Sequence, residues 1–178
     1  MVVTATSQKE AILEYIEEGD RRQYGNQAFV DELVSWIRCN KGEALHTLDG
    51  LCTQCGGNSQ TPRWLGKRFV TRATAGQQSV TDQQNVRSSS GIIVIASTND
   101  DKHDWIEAGR LYERLALTLT ACRVKTAFLN QPIEDATLRS QLQTYLHMGT
   151  RQPQLLLRFG YADAMPRSLR RPIEQVLV

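Results

Sequence analysis

The chain has no apolar run long enough to cross a membrane, and its first residues lack the charged start and apolar core of a secretory signal. It has only four cysteines in 178 residues, too sparse a set for a disulfide framework. A net charge of +2, with no face-long run of lysine or arginine, gives no argument for a nucleic-acid partner. There is no glycine-rich phosphate loop of the P-loop or Rossmann type. His46, His103 and His147 stand alone, and no Ser-His-acid grouping can be assembled around them. A cytoplasmic, reduced protein without membrane or nucleic-acid partners is the expectation. At this length one domain, 1–178, is expected, with a core that needs no staples.

Hydropathy patterning dominates what is present. Residues 91–97, GIIVIAS, form a short β-branched run that reads as a buried strand. From Asp104 to Cys122, apolar residues recur at 105, 108, 112, 115, 119 and 122, the spacing of one helix face. Asp104 with Glu107 reads as its capping pair. Pro132 suits the first residue of a further helix, with Glu134 and Asp135 in its first turn, Leu138, Leu142 and Leu146 on one face, and Gly149 as its stop. Residues 154–160, QLLLRFG, read as a second buried strand.

Nearer the start, Ser7 and Glu10 form a capping box for a helix with Ile12, Leu13 and Ile16 inward, ending near Gly19 and Asp20. Asn26 can cap the next helix, on which Phe29, Leu33, Trp36 and Ile37 share a face. Trp36 there suits either a core position or an aromatic platform for a ligand, and the periodicity favours core. The tract from about 71 to 90 is rich in Gln, Ser, Thr, Asp and Asn and reads as a polar loop or linker.

Cys52 and Cys55 form a Cys-x-x-Cys pair, with Cys39 and His46 upstream. These atom types suit a Cys3His zinc site, but a strong zinc signature has two tight pairs and only one is present. Ordinary thiols are the favoured reading, ahead of a metal set and of a redox pair.

Several segments in order resemble the FMN-dependent nitroreductase family, in particular its Acg-type branch, which carries two such folds in one chain. They are FVDELVSWIR at 29–38, DGL at 49–51, DWIEAGRL at 104–111, FLNQPIE at 128–134, LR at 138–139, PQLLLRFGY at 153–161 and RRPIE at 170–174. The resemblance implies an α+β fold, a mainly antiparallel sheet flanked by helices. The family's Arg-Ser-x-Arg helix and Asn-x-Gln-Pro-Trp strand are absent, so it implies an incomplete or half fold, the C-terminal portion of the family's pattern. By the same resemblance, Arg170, or its neighbour Arg171, occupies the position that contacts the FMN phosphate. Phe128, Leu129, Asn130 and Gln131 occupy the turn laid along the flavin ring. The implied activity is oxidoreduction, in which FMN accepts hydride from NAD(P)H and passes two electrons to a nitro or quinone-like acceptor. The alternative is a non-catalytic domain of the same fold that binds or sequesters flavin. A homodimer, or pairing with a second nitroreductase-like half, follows from the family's habit of placing flavin between halves, with the Asp104–Cys122 helix inside the pair.

Overall fold

Ile12, Leu13 and Ile16 are buried along one side of the first helix, as their spacing requires. The computed structural model describes residues 1–72 and 75–177. In chain order these form β1 (Val2–Val3), α1 (Thr6–Tyr24), α2 (Gln27–Trp36), β2 (Ile37–Arg38), α3 (Lys41–Thr47), β3 (Leu51–Cys52), α4 (Arg63–Arg72), α5 (Ala75–Ser88), β4 (Gly91–Ser97), α6 (Lys102–Ala121), β5 (Lys125–Phe128), α7 (Gln131–Glu134), α8 (Ala136–Tyr145) and β6 (Gln152–Gly160). Short 3-10 turns lie at Thr53–Gly56 and Ile173–Gln175. The architecture is α+β, and no helix among the described residues is long and apolar enough to cross a membrane. The chain divides into two compact units, Met1–Gln23 with Ala75–Ala162 and Tyr24–Thr74 with Asp163–Val178.

The first unit is built on an antiparallel sheet in the order β1-β4-β6-β5. Strand β4 reads as an unbroken apolar run because both of its faces are covered. Ile92 and Val94 point to a core made with Ile12, Leu13 and Ile16 of α1, Val86 of α5 and Leu142 of α8. Ile93 and Ile95 point the other way, to Ala108 of α6, with Tyr112, Leu115 and Leu119 packed around them. The period of two along the strand thus serves two cores at once.

Four local expectations change. The polar tract is helix α5 from Ala75 to Ser88, while residues 73 and 74 lie outside the described residues. Its composition looks unstructured because its polar side chains find partners far away in sequence: Gln83 donates to Glu17 at 2.7 Å and Arg87 pairs with Glu10 at 2.8 Å. Lys9, only 7% exposed, donates from Nζ to the carbonyls of Val86 (3.1 Å), Arg87 (3.4 Å) and Ser89 (2.9 Å), and so closes the C-terminal end of α5. Lys9→Met is expected to cost roughly 2 kcal/mol, since the charge-assisted bonds to the buried Val86 carbonyl and the part-buried Arg87 and Ser89 carbonyls are lost. Urea unfolding checks this, and an unchanged midpoint would show that α5 ends satisfactorily without the ammonium.

Helix α1 does not stop at Gly19 and Asp20 but runs on to Tyr24. A Cβ on Gly19 would lie 2.6 Å from Gln131 Cβ and 2.9 Å from the Gln131 carbonyl carbon. The glycine is therefore a point of close approach and not a terminus. Helix α6 is capped by Asp101, whose Oδ1 accepts from Asp104 N at 2.9 Å, in place of an Asp104–Glu107 pair. The helix expected after Pro132 is two pieces, α7 and α8, because Asp135 leaves helical geometry and caps α8 by accepting from Thr137 N and Leu138 N.

The second unit has a smaller framework. Asn26 caps α2 as its position suggests, its Oδ1 accepting from Ala28 N at 3.0 Å. The helix runs directly into β2, which pairs in parallel with β3, Ile37 opposite Leu51 and Arg38 opposite Cys52. Between them α3 is capped by Asn40 and ends at Leu48, whose φ of 54° is left-handed. This turn brings Asp49 and Gly50 back beside the end of α2.

Candidate functional site

Trp36, the last residue of α2, is 44% exposed and is not a core residue. Trp36 closes the helix, and the chain is already extended at Ile37 (φ −73°, ψ 135°), so no further helical turn follows to cover it. It forms one wall of a cleft of about 430 Å³, within the size range of small-molecule sites. Leu48, Asp49 and Gly50 line the cleft from the turn before β3, and Leu169, Arg170, Arg171, Gln175 and Val176 line it from the tail. The two arginines singled out in the sequence therefore share a cavity with an indole, three aliphatic side chains, one amide and one carboxylate.

Arg38 organises this wall. It is only 8% exposed, and its guanidinium donates from Nη2 and Nε to Asp49 Oδ1 at 2.7 and 3.2 Å, from Nε to Thr47 Oγ1 at 3.0 Å and from Nη1 to Ser35 O at 2.8 Å. Its Cζ also lies 5.9 Å from the centre of the Trp36 ring. The hydrogen bond from Arg38, helped by Thr47 and by the charges of Arg38 and Arg171, holds the Asp49 carboxyl below its ordinary range. Gly50 has a φ of +75°, and a Cβ there would strike the Trp36 carbonyl oxygen and come within 2.8 Å of Arg38 Cζ. Only glycine lets the turn fold this closely over Arg38.

The cations are in different situations. Arg171 Nη2 lies 3.9 Å from Asp49 Oδ2, a long ion pair. Arg170 donates from Nη1 to Leu169 O at 3.0 Å and makes no ion pair among the described residues. Among the described residues the cleft thus holds one guanidinium without a countercharge and one that is weakly engaged. That combination suits an anionic ligand with planar oxygen acceptors.

The ring-side candidates, Phe128 to Gln131, belong to the first unit. Phe128 is half exposed, with its ring 4.9 Å from that of Tyr112. Leu129 is buried in the core, and its N–H donates to Leu156 O at 2.8 Å. Asn130 Oδ1 accepts from Leu156 N at 2.9 Å, and Gln131 Nε2 donates to Asp20 Oδ1 and Asp82 Oδ2 at 3.1 Å each. Leu129, Asn130 and Gln131 are thus engaged within the fold, and Phe128 is the most exposed of the four.

The contacts of Gln131 belong to a buried acidic cluster. Asp20 is 1% exposed, and burial, reinforced by the charge of Asp82, pushes its carboxyl up to about 6. Burial also raises Asp82, opposed by hydrogen bonds from Gln78 and Gln131 and by the charge of Arg158. The Oε1 of Gln131 is buried with no partner among the described residues.

Cys39 is buried against Gly66, and burial together with Glu43 raises its thiol. Cys52, just before the 3-10 turn, and Cys55, within it, are half buried, and His46 lies in the last turn of α3. Among the described residues, the possible ligands whose atoms converge are Asp101, His103 and Asp104, and not this set. Asp101 and Asp104 already act as acceptors for backbone N–H groups.

Sequence reading weighed Trp36 as an aromatic platform but favoured core, and it did not weigh Asp49, Gln175 or Val176 as site residues. The Asp-Gly pair at 49–50 was an available turn signal. The tail residues carry no local signal of their placement. Compared with protein-family models and with curated proteins, the sequence matches none.

Proposed function

We propose that this chain binds a phosphorylated aromatic cofactor of the FMN class at the Trp36–Arg170–Arg171 cleft, and that it serves flavin-dependent oxidoreduction of the nitroreductase type. The observation that carries the reading is the convergence of two adjacent arginines and an indole in one cavity of ligand size. Guanidinium groups offer paired donors to phosphate oxygens, and Trp36, Leu48 and Val176 offer apolar surface to the rest of the molecule. The residues of the cleft fit the phosphate end of FMN. The chemistry supplied by bound FMN is hydride acceptance from NAD(P)H and two-electron delivery to a nitro or quinone-like acceptor. For that chemistry this chain's residues need only bind and orient.

A second reading, binding without turnover, is favoured by one observation: Leu129, Asn130 and Gln131 are engaged within the fold. Pairing with a second copy or a second nitroreductase-like half belongs to the same proposal. Ile106 and Leu117, both well exposed on α6, support it, and light scattering across a concentration series tests it.

Quenching of flavin fluorescence on titration with the purified protein tests the site. Arg170→Ala and Arg171→Ala are each expected to weaken FMN about tenfold or more, the loss of one charge-assisted contact. Riboflavin, which lacks the phosphate, should bind weakly and be insensitive to either change. Equal affinity of FMN and riboflavin would remove the phosphate assignment. Binding of FMN without oxidation of NADH or NADPH would select the second reading.

A further inference from the structure

The two oxygens of Asp49 are used unequally. Oδ1 accepts from Nη2 and Nε of Arg38, at 2.7 and 3.2 Å, whereas the contact of Oδ2 among the described residues is the Arg171 guanidinium at 3.9 Å, beyond hydrogen-bond length. The carboxylate cannot turn away from this arrangement cheaply, because Arg38 is buried and tied to Thr47, Ser35 and Asp49 together. An ionised carboxylate only accepts, and guanidinium groups only donate. The cleft therefore presents a fixed acceptor beside two donors, and these make opposite demands on a ligand. A bare anion gains from Arg170 and Arg171 but is repelled by Asp49. A phosphate ester whose carbon skeleton bears hydroxyl groups can satisfy both.

We infer that Asp49 is a selectivity residue whose Oδ2 accepts a hydrogen bond from a ligand hydroxyl, so that the cleft takes a phosphate monoester of a polyol or ribose and discriminates against inorganic anions. The inference rests on the reading of the cleft as a phosphate site and adds the part of the ligand next to the phosphate. The hydroxyl has two possible sources, the ribityl chain of a flavin mononucleotide or the ribose of a purine mononucleotide.

The test uses four probes on the whole chain by calorimetric titration: FMN, a flavin phosphate with a plain alkyl chain, AMP and inorganic phosphate. On the wild-type protein FMN is expected to bind about tenfold or more tighter than the alkyl analogue, the worth of one hydrogen bond to a charged acceptor. This comparison needs no variant. Asp49→Asn keeps an oxygen for Arg38 but places an amide donor where Oδ2 stood. It should weaken the hydroxylated probes about tenfold or more while leaving the alkyl analogue unchanged or tighter, and inorganic phosphate should gain affinity as the repulsion disappears. A merely structural role would weaken every probe together, and that result overturns the inference while leaving FMN binding in place. If AMP shows the Asp49 pattern and FMN does not bind, the flavin reading falls and the selectivity residue stands. If no hydroxylated probe binds the wild-type protein, both fall.

Discussion

Asp20→Asn is expected to raise the stability of the first unit by about 3 kcal/mol at pH 8 and by about half of that at pH 5. The sign follows from the direction of the shift. The Asp20 carboxyl is pushed from 3.8 up to about 6 in the folded protein, first by burial and then by the charge of Asp82. Its contribution to stability is complete below the unfolded value and is lost as pH rises through the folded value. The groups around it keep this direction: Asp82 and Glu17 add negative charge, and Gln131 and Ser79 supply only neutral hydrogen bonds. An amide at this position removes the cost of ionising a buried group and keeps an oxygen for Gln131 Nε2. Urea unfolding at the two pH values, on wild type and variant, reads the effect. A difference that does not change with pH, or a loss of stability at pH 8, would show that Asp20 is not held as a high-affinity acid.

Gly19→Val is the second large effect, in the opposite direction. The first carbon of any side chain at 19 would stand 2.6 Å from Gln131 Cβ and 2.9 Å from its carbonyl carbon, and 3.2 Å from Pro132 N. Two of these atoms are backbone, so no rotamer change relieves the contact. A β-branched residue adds two methyl groups there, and about 3 kcal/mol of destabilisation is expected from overpacking. Gly19→Ala should cost less, because the gain of about 1 kcal/mol in helix propensity partly offsets the clash. The displacement also moves Gln131, which bridges Asp20 and Asp82. Combining Gly19→Val with Asp20→Asn should therefore give a non-additive result. Strict additivity would mean that the close approach and the acidic cluster are energetically separate.

Both effects arise where the sequence reads most misleadingly. Gly19-Asp20 looks like a helix end because glycine and a short polar residue commonly stop helices. Here the glycine admits a neighbouring turn and the aspartate is buried between α1, α5 and α7. The polar tract at 75–88 looks like a linker for a similar reason. Its pairing with Glu10, Glu17 and Lys9, some 66 to 78 residues away, cannot be seen in a local window. The same limit applies to the site. Arg170 and Arg171 are visible as a basic pair, but what turns them into a cavity is Trp36, Leu48 and Asp49 from another part of the chain.

The family resemblance implied the α+β class and singled out the two arginines; by itself the sequence determined both central strands, the long helix α6 within two residues at its start and the capped helix α2. Each of these elements is carried by a local period or a cap, which are properties of neighbouring residues. Tertiary structure alone decided that α1 continues past Gly19, that α5 is a helix, that Trp36 faces a cleft and that Asp49 stands beside Arg171. These depend on how close distant segments approach and on which polar groups lose water when they do, and neither quantity is written in any single stretch of the chain.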